Sequence, residues 1–203
     1  MFTRRVDSDS PAVVDVEPGF RVVHIDAGEP DLPKEELEGV VDSFTAGVSA
    51  YLDTDPSYAG LLANYWLSGV AGHRLKHQRD LPLTTTFHTL ARGKAETGDL
   101  EPQRRIDAES EVIGCSDVIL ANSAEEVSQL TEHYGADPCR IEIVPPGVDH
   151  SYFSPGSRAI ARQTTGLGEG PVLLFVGRIQ PLKGVGLSLI HISEPTSRYA
   201  ISY

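Results

Sequence analysis

The chain has 203 residues, enough for one α/β domain and part of a second, and 40% of its residues are hydrophobic. This composition is typical of a globular protein and argues against coiled-coil, collagen-like and disordered classes. The 29 acidic residues outnumber the 17 Lys and Arg residues, which gives a formal net charge of −12. Because such a balance repels phosphates and anionic lipids, we expect no nucleic-acid partner and no membrane-surface role.

The N-terminal sequence lacks the apolar stretch of a signal peptide, and no window approaches the ~18 apolar residues of a membrane span. The two cysteines, Cys115 and Cys139, form no CxxC motif and have no His at metal-ligand spacing around them. We therefore expect free thiols in a reducing compartment, no metal site and a cytoplasmic protein.

In chain order, the first half alternates β-branched apolar runs with segments of helical periodicity. Pro33 is well placed to open the first of the helices. The predicted elements are a strand at 20–27, a helix at 33–52, a strand within 58–70 that runs into a turn at Ser68-Gly69, a helix at 70–80 and a strand at 82–87.

The second half continues the alternation. The predicted elements are a loop at 92–101, a helix at 103–115, a strand at 117–121, a helix from Ser123 to about Tyr134, and strands at 140–144 and 171–176. Ser123 lies three residues before Glu126, the spacing of a capping box. Strands and helices alternating in this way predict a doubly wound parallel α/β sheet.

The most specific feature follows the last predicted strand. Gly177 ends that strand, and Arg178 and Lys183 lie five residues apart where a helix would begin. Ligands bind at the carboxyl ends of parallel strands, and a helix N-terminus with two cations suits a diphosphate. Two solvated cations on a loop are the alternative interpretation.

The segment GRIQPLKG at 177–184 resembles the first donor-domain signature of retaining glycosyltransferases of the GT-B type, which have two Rossmann-like domains. The segment 122–149 is similar to the family's last acceptor-domain helix and strand and its linker. YWLSG at 65–69 and FHTLA at 87–91 resemble one subgroup, the actinobacterial D-inositol-3-phosphate glycosyltransferases of mycothiol synthesis, which have sucrose-phosphate-synthase-like relatives. The resemblance covers about 2–186.

This resemblance implies a domain organisation. It consists of a partial N-terminal acceptor-side domain at 1–148, a linker at 149–170, and the first strand of a nucleotide-sugar-binding domain within 171–186. Residues 187–203 resemble a translated sequencing-adapter tail, and we expect them to be non-native. The family's Gly-rich loop would precede residue 1 and its paired glutamates would follow residue 203. We therefore expect the chain to be an inactive fragment.

The resemblance also implies the functional residues. Gly177, Arg178 and Lys183 would bind the diphosphate of a nucleotide-sugar, with a UDP-sugar expected. Arg178 and Lys183 would be catalytic because their charges would stabilise the departing diphosphate. His88 would be a third catalytic residue, beside the reacting sugar. The residues expected to hold the acceptor phosphate are Lys34, Tyr65, Thr89 and Arg104. No metal ion or cofactor is implied, since the donor is a substrate.

Structural roles for the acceptor residues remain open at this point. Lys34 lies in the first turn of a predicted helix and would serve equally as a surface charge. Tyr65 is next to Trp66, where core packing is the alternative. Arg104 has a neighbour, Arg105, that could take its place.

Other functions also remain open. LAN at 62–64 replaces a His-containing segment of the subgroup, which leaves the inositol phosphate acceptor unsettled. A non-catalytic phospho-ligand module and a sucrose-phosphate-synthase-like enzyme are the alternatives. A dehydrogenase or epimerase is disfavoured because GLGEG at 166–170 precedes a strand instead of following one. The expected partners are a nucleotide-sugar donor and a small-molecule acceptor, and a homodimer is left open.

Overall fold

The computed structural model describes residues 1–55, 57–96 and 98–177. Its contacts divide the chain into two units, Met1–Pro146 and a second unit that begins at Gly147. The division falls two residues before the predicted domain end at 148. Arg178, Lys183 and the predicted tail at 187–203 lie outside the described residues.

A three-stranded sheet comprises β1 (Phe2–Arg4), β2 (Val13–Glu17) and β3 (Phe20–Ile25). The central strand β3 is parallel to β1 and antiparallel to β2. Strand β3 confirms the strand predicted at 20–27. Neither β1 nor β2 was predicted, because the three residues of β1 are too few to show a pattern and most side chains of β2 are exposed.

A four-stranded sheet comprises β4 (Leu61–Asn64), β5 (Leu83–Thr86), β6 (Val118–Ala121) and β7 (Ile141–Ile143), paired in that order. All three pairings are parallel, as the alternation of strands and helices predicts. An apolar cavity of about 480 Å³ lies between the edge strands β1 and β4 of the two sheets. Because all three pairings are parallel, the carboxyl ends of the four strands lie at one edge of this sheet, where ligands bind in such sheets.

The helices confirm most of the predicted ones. They are a 3₁₀ helix Lys34–Val40, α1 (Val41–Leu52), α2 (Trp66–Arg79), α3 (Ala91–Glu96), α4 (Gln103–Cys115), α5 (Ala124–Tyr134), a 3₁₀ helix Pro138–Arg140 and α6 (Arg158–Thr165). The helix predicted at 33–52 thus forms in two pieces. Both α3 and α6 occur in segments predicted to be irregular, because each is short and polar.

The predicted capping box opens α5. Ser123 Oγ accepts a hydrogen bond from the backbone N–H of Glu126 at 3.2 Å. The Glu126 carboxylate accepts the N–H of Asn122 at 2.8 Å, one residue earlier than the ideal capping box. The helix ends at Gly135, whose φ of 66° is the left-handed conformation common at helix ends.

The turn predicted at Ser68-Gly69 is wrong, since both residues lie inside α2. A methyl group added at Gly69 would come within 2.9 Å of Val112 in α4, and one at Gly72 within 2.8 Å of Leu83 in β5. These glycines therefore allow α2 to pack closely against its neighbours. Close packing and turns both favour glycine, and the sequence alone does not separate the two.

The prediction of a strand at 171–176 is also wrong. These residues are described, and they show no regular secondary structure. Leu174 and Val176 are 83% and 84% exposed. A parallel strand forms only with a hydrogen-bonding neighbour, and none of the described residues pairs with this segment. An apolar run forms a buried strand only where a neighbouring strand pairs with it.

Two apolar cores hold the first unit together. One lies around Phe87, Ile113 and Ile119, and the other around Val23 and Val48. Helix α2 contributes Trp66 to the first core and Leu75 to the second. Packing of Trp66 in the first core places the N-terminus of α2 at the carboxyl edge of the four-stranded sheet.

Candidate functional site

Two residues that follow strand ends have unusual backbone conformations. Tyr65 follows β4 with φ 77° and ψ 156°, and His88 lies two residues after β5 with φ 60°. Residues other than glycine rarely have positive φ, and the conformation of Tyr65 is in a region used almost only by glycine. Such strain costs on the order of 1–3 kcal/mol and concentrates at functional sites. Both residues are therefore candidates for ligand contacts.

Tyr65 is held in this conformation by its surroundings. Its N–H donates to the carbonyl of Thr86 at 2.8 Å, and its own carbonyl accepts the N–H of Gly69 at 2.9 Å. The guanidinium of Arg105 lies 5.4 Å from the centre of the Tyr65 ring and 5.8 Å from that of the Trp66 ring. The ring remains half-buried, so it combines packing with access to a ligand.

A cavity of about 330 Å³ opens next to Tyr65, within the range of small-molecule sites. Its walls come from the first 3₁₀ helix, the start of α2 and the start of α4. The lining residues are Lys34, Glu35, Leu37, Glu38, Tyr65, Trp66, Leu67, Glu101, Pro102, Arg104 and Arg105. The cavity thus brings together three of the predicted acceptor residues, Lys34, Tyr65 and Arg104, from distant parts of the sequence.

Burial separates the two neighbouring arginines. The Arg105 side chain is 3% exposed and pairs with Glu101 at 2.9 Å and with Glu109 at 2.7 Å. The Arg104 side chain is 61% exposed and pairs with Glu38 at 2.5 Å across the cavity wall. Arg105 therefore stabilises the core, whereas Arg104 is accessible to a ligand.

The other two predicted residues lie outside the cavity lining. Thr89 is exposed, and its carbonyl accepts a hydrogen bond from Arg105 at 3.0 Å. His88 is also exposed, with Nε2 at 2.6 Å from the amide oxygen of Asn64. Asn64 belongs to the LAN segment that departs from the subgroup, so this segment supplies the partner of His88.

Cations balance Glu101, one of the three glutamates that line the cavity. Burial acts to raise the pKa of Glu101, but a hydrogen bond from Lys94 and the charge of Arg105 outweigh it and hold that pKa below the ordinary value. Glu101 is thus an ionised carboxylate already paired with cations. The charge of Lys34 is then left for a bound anion, and that of Arg104 becomes available when an anion displaces Glu38.

On the donor side, Gly177 is the only predicted residue within the described range. It is exposed, has φ 153° and belongs to the second unit. Arg178 and Lys183 lie outside the described residues, so their predicted roles in diphosphate binding stay predictions.

The structure also brings together a set of residues that the sequence analysis did not single out. The side-chain ligand atoms of His73, His77 and Cys115 all lie within 4.8 Å of one another. The cysteine is 38 residues from His77 in sequence, so only the packing of α2 against α4 reveals the set. The four-residue spacing of the two histidines on one helix is the signal that could have indicated it.

Cys115 and Cys139 are both free thiols, as expected. Within 1–55, 57–96 and 98–177, no helix has the length and apolar character needed to cross a membrane.

Comparisons with known proteins extend these findings. The family model for Glycosyltransferase Family 4 matches residues 13–152. The D-inositol 3-phosphate glycosyltransferase of Geodermatophilus obscurus is 45% identical over 93% of this chain and 44% of its own length. That of Actinosynnema mirum is 42% identical over 90% of this chain and 46% of its own length.

Among solved structures, the sucrose-phosphate synthase of Thermosynechococcus elongatus superposes with a TM-score of 0.84 at 26% identity. The match covers 97% of this chain and 49% of that chain. The chain therefore spans about half the length of the relatives it matches.

Proposed function

The chain belongs to Glycosyltransferase Family 4, and from this premise we propose that it is the acceptor-side part of a retaining glycosyltransferase. The parent enzyme moves a sugar from a nucleotide-sugar to a small phosphorylated acceptor, with inositol phosphate as the first candidate. Two relatives that are 45% and 42% identical are D-inositol 3-phosphate glycosyltransferases, which supports this acceptor class.

The cavity shared by Lys34, Tyr65 and Arg104 is the observation that carries the proposal. A phosphate monoester has a charge of about −1.5 to −2 at neutral pH, which one ammonium and one guanidinium balance. The guanidinium can donate two parallel hydrogen bonds to phosphate oxygens, and the phenol of Tyr65 can donate a third. Glu38 keeps Arg104 in position until a phosphate displaces it.

His88 is proposed to contact the reacting sugar. In the tautomer whose Nε2 donates to the amide oxygen of Asn64, 2.6 Å away, Nδ1 is a hydrogen-bond acceptor. Such an acceptor suits a sugar hydroxyl. Thr89, the next residue, is proposed to add a hydroxyl contact to the acceptor phosphate from the same exposed loop.

The donor half of the reaction is proposed to depend on Gly177, Arg178 and Lys183. The bond between the sugar carbon and the diphosphate oxygen breaks, and the two cations stabilise the negative charge left on the diphosphate. The departing oxygen accepts the proton of the acceptor hydroxyl as the new glycosidic bond forms on the same face. The two cations take the place of a metal ion in this scheme, and a UDP-sugar is the proposed donor.

A sucrose-phosphate-synthase-like activity is the second candidate. The TM-score of 0.84 with a sucrose-phosphate synthase favours it, as does the departure of LAN at 62–64 from the first subgroup. The same cavity would then hold a phosphorylated sugar instead of inositol phosphate.

Calorimetric titration of the chain tests the acceptor site. We expect D-inositol 3-phosphate to bind and unphosphorylated inositol to bind far more weakly, because hydrogen bonds to charged groups are the strong ones. Arg104→Ala should weaken binding about 10- to 100-fold, the range for losing a hydrogen bond to a charged group.

Arg21→Ala is the matched control. Its side chain is 53% exposed and pairs with Asp15 within the three-stranded sheet, much as Arg104 pairs with Glu38. This variant should bind like the unmodified chain. Equal affinity for the two inositols, or equal losses in the two arginine variants, would contradict the proposed acceptor site.

A further inference from the structure

We propose that the surface formed by α2 and the end of α4 is a binding site for a divalent transition-metal ion such as Zn²⁺, with His73, His77 and Cys115 as ligands. The ligand atoms of these three residues lie within 4.8 Å of one another. None of the three lines the acceptor cavity, so this site is independent of the proposed transferase function.

The fold places the ligands side by side. His73 and His77 are four residues apart on α2 and therefore share a face of the helix. Cys115 is the last residue of α4, and α4 packs against α2 where Gly69 faces Val112. The close contact between α2 and α4 that Gly69 permits brings the thiol to the two imidazoles.

The distances suit a tetrahedral ion. Zinc bonds of about 2.0–2.3 Å to nitrogen and sulfur separate neighbouring ligand atoms by roughly 3.3–3.8 Å. His77 Nε2 lies 3.5 Å from Cys115 Sγ. The rings of His73 and His77 are 4.7 Å apart, one edge toward the face of the other. His77 is exposed and the other two are only half-buried, which leaves the side chains room to rotate toward a shared ion.

A carboxylate adjoins the three ligands. Glu111 Oε1 lies 3.6 Å from His73 Nδ1. Glu111 is four residues before Cys115 on α4, so both face the same side. It either supplies the fourth ligand or accepts the Nδ1 proton and orients the ring, as carboxylates do beside metal-bound histidines. In both arrangements it adds negative charge next to the cation.

The neighbouring charges also suit a metal. The nearby cation Lys76 is neutralised, since its Nζ donates to the carbonyl of Cys115 at 2.9 Å and to Asp117 at 2.6 Å.

The ligand types select the class of ion. Imidazole and thiolate prefer Zn²⁺, Co²⁺ and related ions over Mg²⁺ and Ca²⁺, which prefer oxygen ligands. An ion here would tie the C-terminal half of α2 to the C-terminal end of α4. The N-terminal ends of the same two helices carry Tyr65 and Arg104, so the ion would stabilise the helix pair that forms the acceptor cavity.

Cobalt titration of the metal-free, reduced 203-residue chain tests the site, because Co²⁺ reports its ligands in its spectrum. We expect one equivalent to bind with visible d–d bands and a thiolate-to-cobalt charge-transfer band in the near ultraviolet, and Zn²⁺ to displace it. Cys115→Ser should abolish the charge-transfer band. His77→Ala should weaken binding by at least about 10- to 100-fold, the range found even for loss of an outer-sphere partner.

Cys139→Ser and His24→Ala are the controls, since they change the other free thiol and a histidine on strand β3, away from both helices. Both should bind Co²⁺ like the unmodified chain. His77 is exposed, so its removal leaves the fold intact, and Zn²⁺ should raise the melting temperature of the unmodified chain but not that of His77→Ala. A titration without a thiolate band, or one that changes equally with Cys139→Ser, would overturn the site.

Discussion

At the scale of single residues, the candidate acceptor site depends on side chains that stay accessible while their neighbours are buried. Tyr65 and His88 follow strand ends with positive φ, and Arg104 is kept at the cavity wall by Glu38. Arg105 shows the opposite behaviour, since it is 3% exposed and surrounded by partners. Accessibility rather than residue type therefore distinguishes the candidate ligand-binding residues.

Replacing His88 tests whether its backbone is strained. His88→Gly should leave the free energy of unfolding unchanged or raise it by up to about 1 kcal/mol, because relief of the left-handed conformation offsets the entropy of glycine. His88→Val should lower it by about 1–2 kcal/mol, since β-branched residues tolerate positive φ poorly. Urea unfolding of both variants measures the difference. Equal unfolding free energies would show that φ 60° is not strained here.

Glu38 should compete with a bound phosphate for Arg104. Glu38→Gln removes the carboxylate that lies 2.5 Å from the guanidinium, so we expect affinity for D-inositol 3-phosphate to rise roughly 2- to 5-fold, the scale of one exposed ion pair. Glu35→Gln removes a charge from the same cavity wall without touching that pair. A gain in Glu35→Gln as large as that in Glu38→Gln would mean that net charge, not competition for Arg104, sets the affinity.

At the scale of elements, α2 is the helix on which both candidate sites depend. Gly69 and Gly72 let it approach α4 and β5. Trp66 packs in the first core and Leu75 in the second. The acceptor cavity lies at its N-terminal end, and two of the three proposed metal ligands, His73 and His77, lie further along its length. A change in the packing of α2 should therefore affect both sites.

Two glycine variants measure this packing. Gly72→Ala should lower the free energy of unfolding by about 1–3 kcal/mol, since the new methyl group would lie 2.8 Å from Leu83 and 3.2 Å from Ala63. Gly114→Ala in α4 meets nothing within 4 Å and should raise stability by up to about 1 kcal/mol, the helix propensity difference. Thermal or urea unfolding gives both values. A neutral Gly72→Ala would show that the helix can shift to make room.

The elements predicted correctly from the sequence are those whose structure is determined by the local pattern of residues. The helix at 103–115 is formed over that same range, and α5 begins at the predicted cap Ser123. Gly69 was misread because a glycine needed for close packing looks like a turn glycine. The run at 171–176 was misread because a strand depends on a partner that a local pattern cannot show.

The candidate site was predictable only in part. Lys34, Tyr65 and Arg104 came from the family resemblance, and the structure brings them to one cavity. The burial of Arg105 follows from its pairing with Glu109. The cluster around Cys115 depends on contact between two helices. Such long-range contacts have no local signature in a single sequence.

At the scale of the whole molecule, paired carboxylates should make stability depend on pH. The pKa of Glu101 is lowered in the folded state despite its burial, because Lys94 and Arg105 favour the charged form. The pKa of Asp99 is also lowered, chiefly by the hydrogen bond from Lys94. Such groups stabilise the fold above their unfolded pKa values, and this stability is lost as the pH falls through their lowered folded values.

We therefore expect the urea midpoint to fall as the pH drops below about 4.5, the ordinary pKa of glutamate. Glu101→Gln should lower the midpoint at neutral pH and reduce its dependence on pH, because the charged form is the stabilising one. Glu132→Gln, an exposed glutamate on α5, is the control and should retain the full dependence. An unchanged pH dependence in Glu101→Gln would contradict the assigned charge network.

The central claim is that one cavity near the carboxyl edge of the parallel sheet holds the acceptor's phosphate. A crystal structure of the chain with D-inositol 3-phosphate tests it most directly. The account predicts phosphate oxygens within about 3 Å of Lys34 Nζ, the Tyr65 hydroxyl and the Arg104 guanidinium, with Arg104 released from Glu38. A ligand bound elsewhere, or a phosphate turned away from these three groups with the Arg104–Glu38 pair intact, would contradict it.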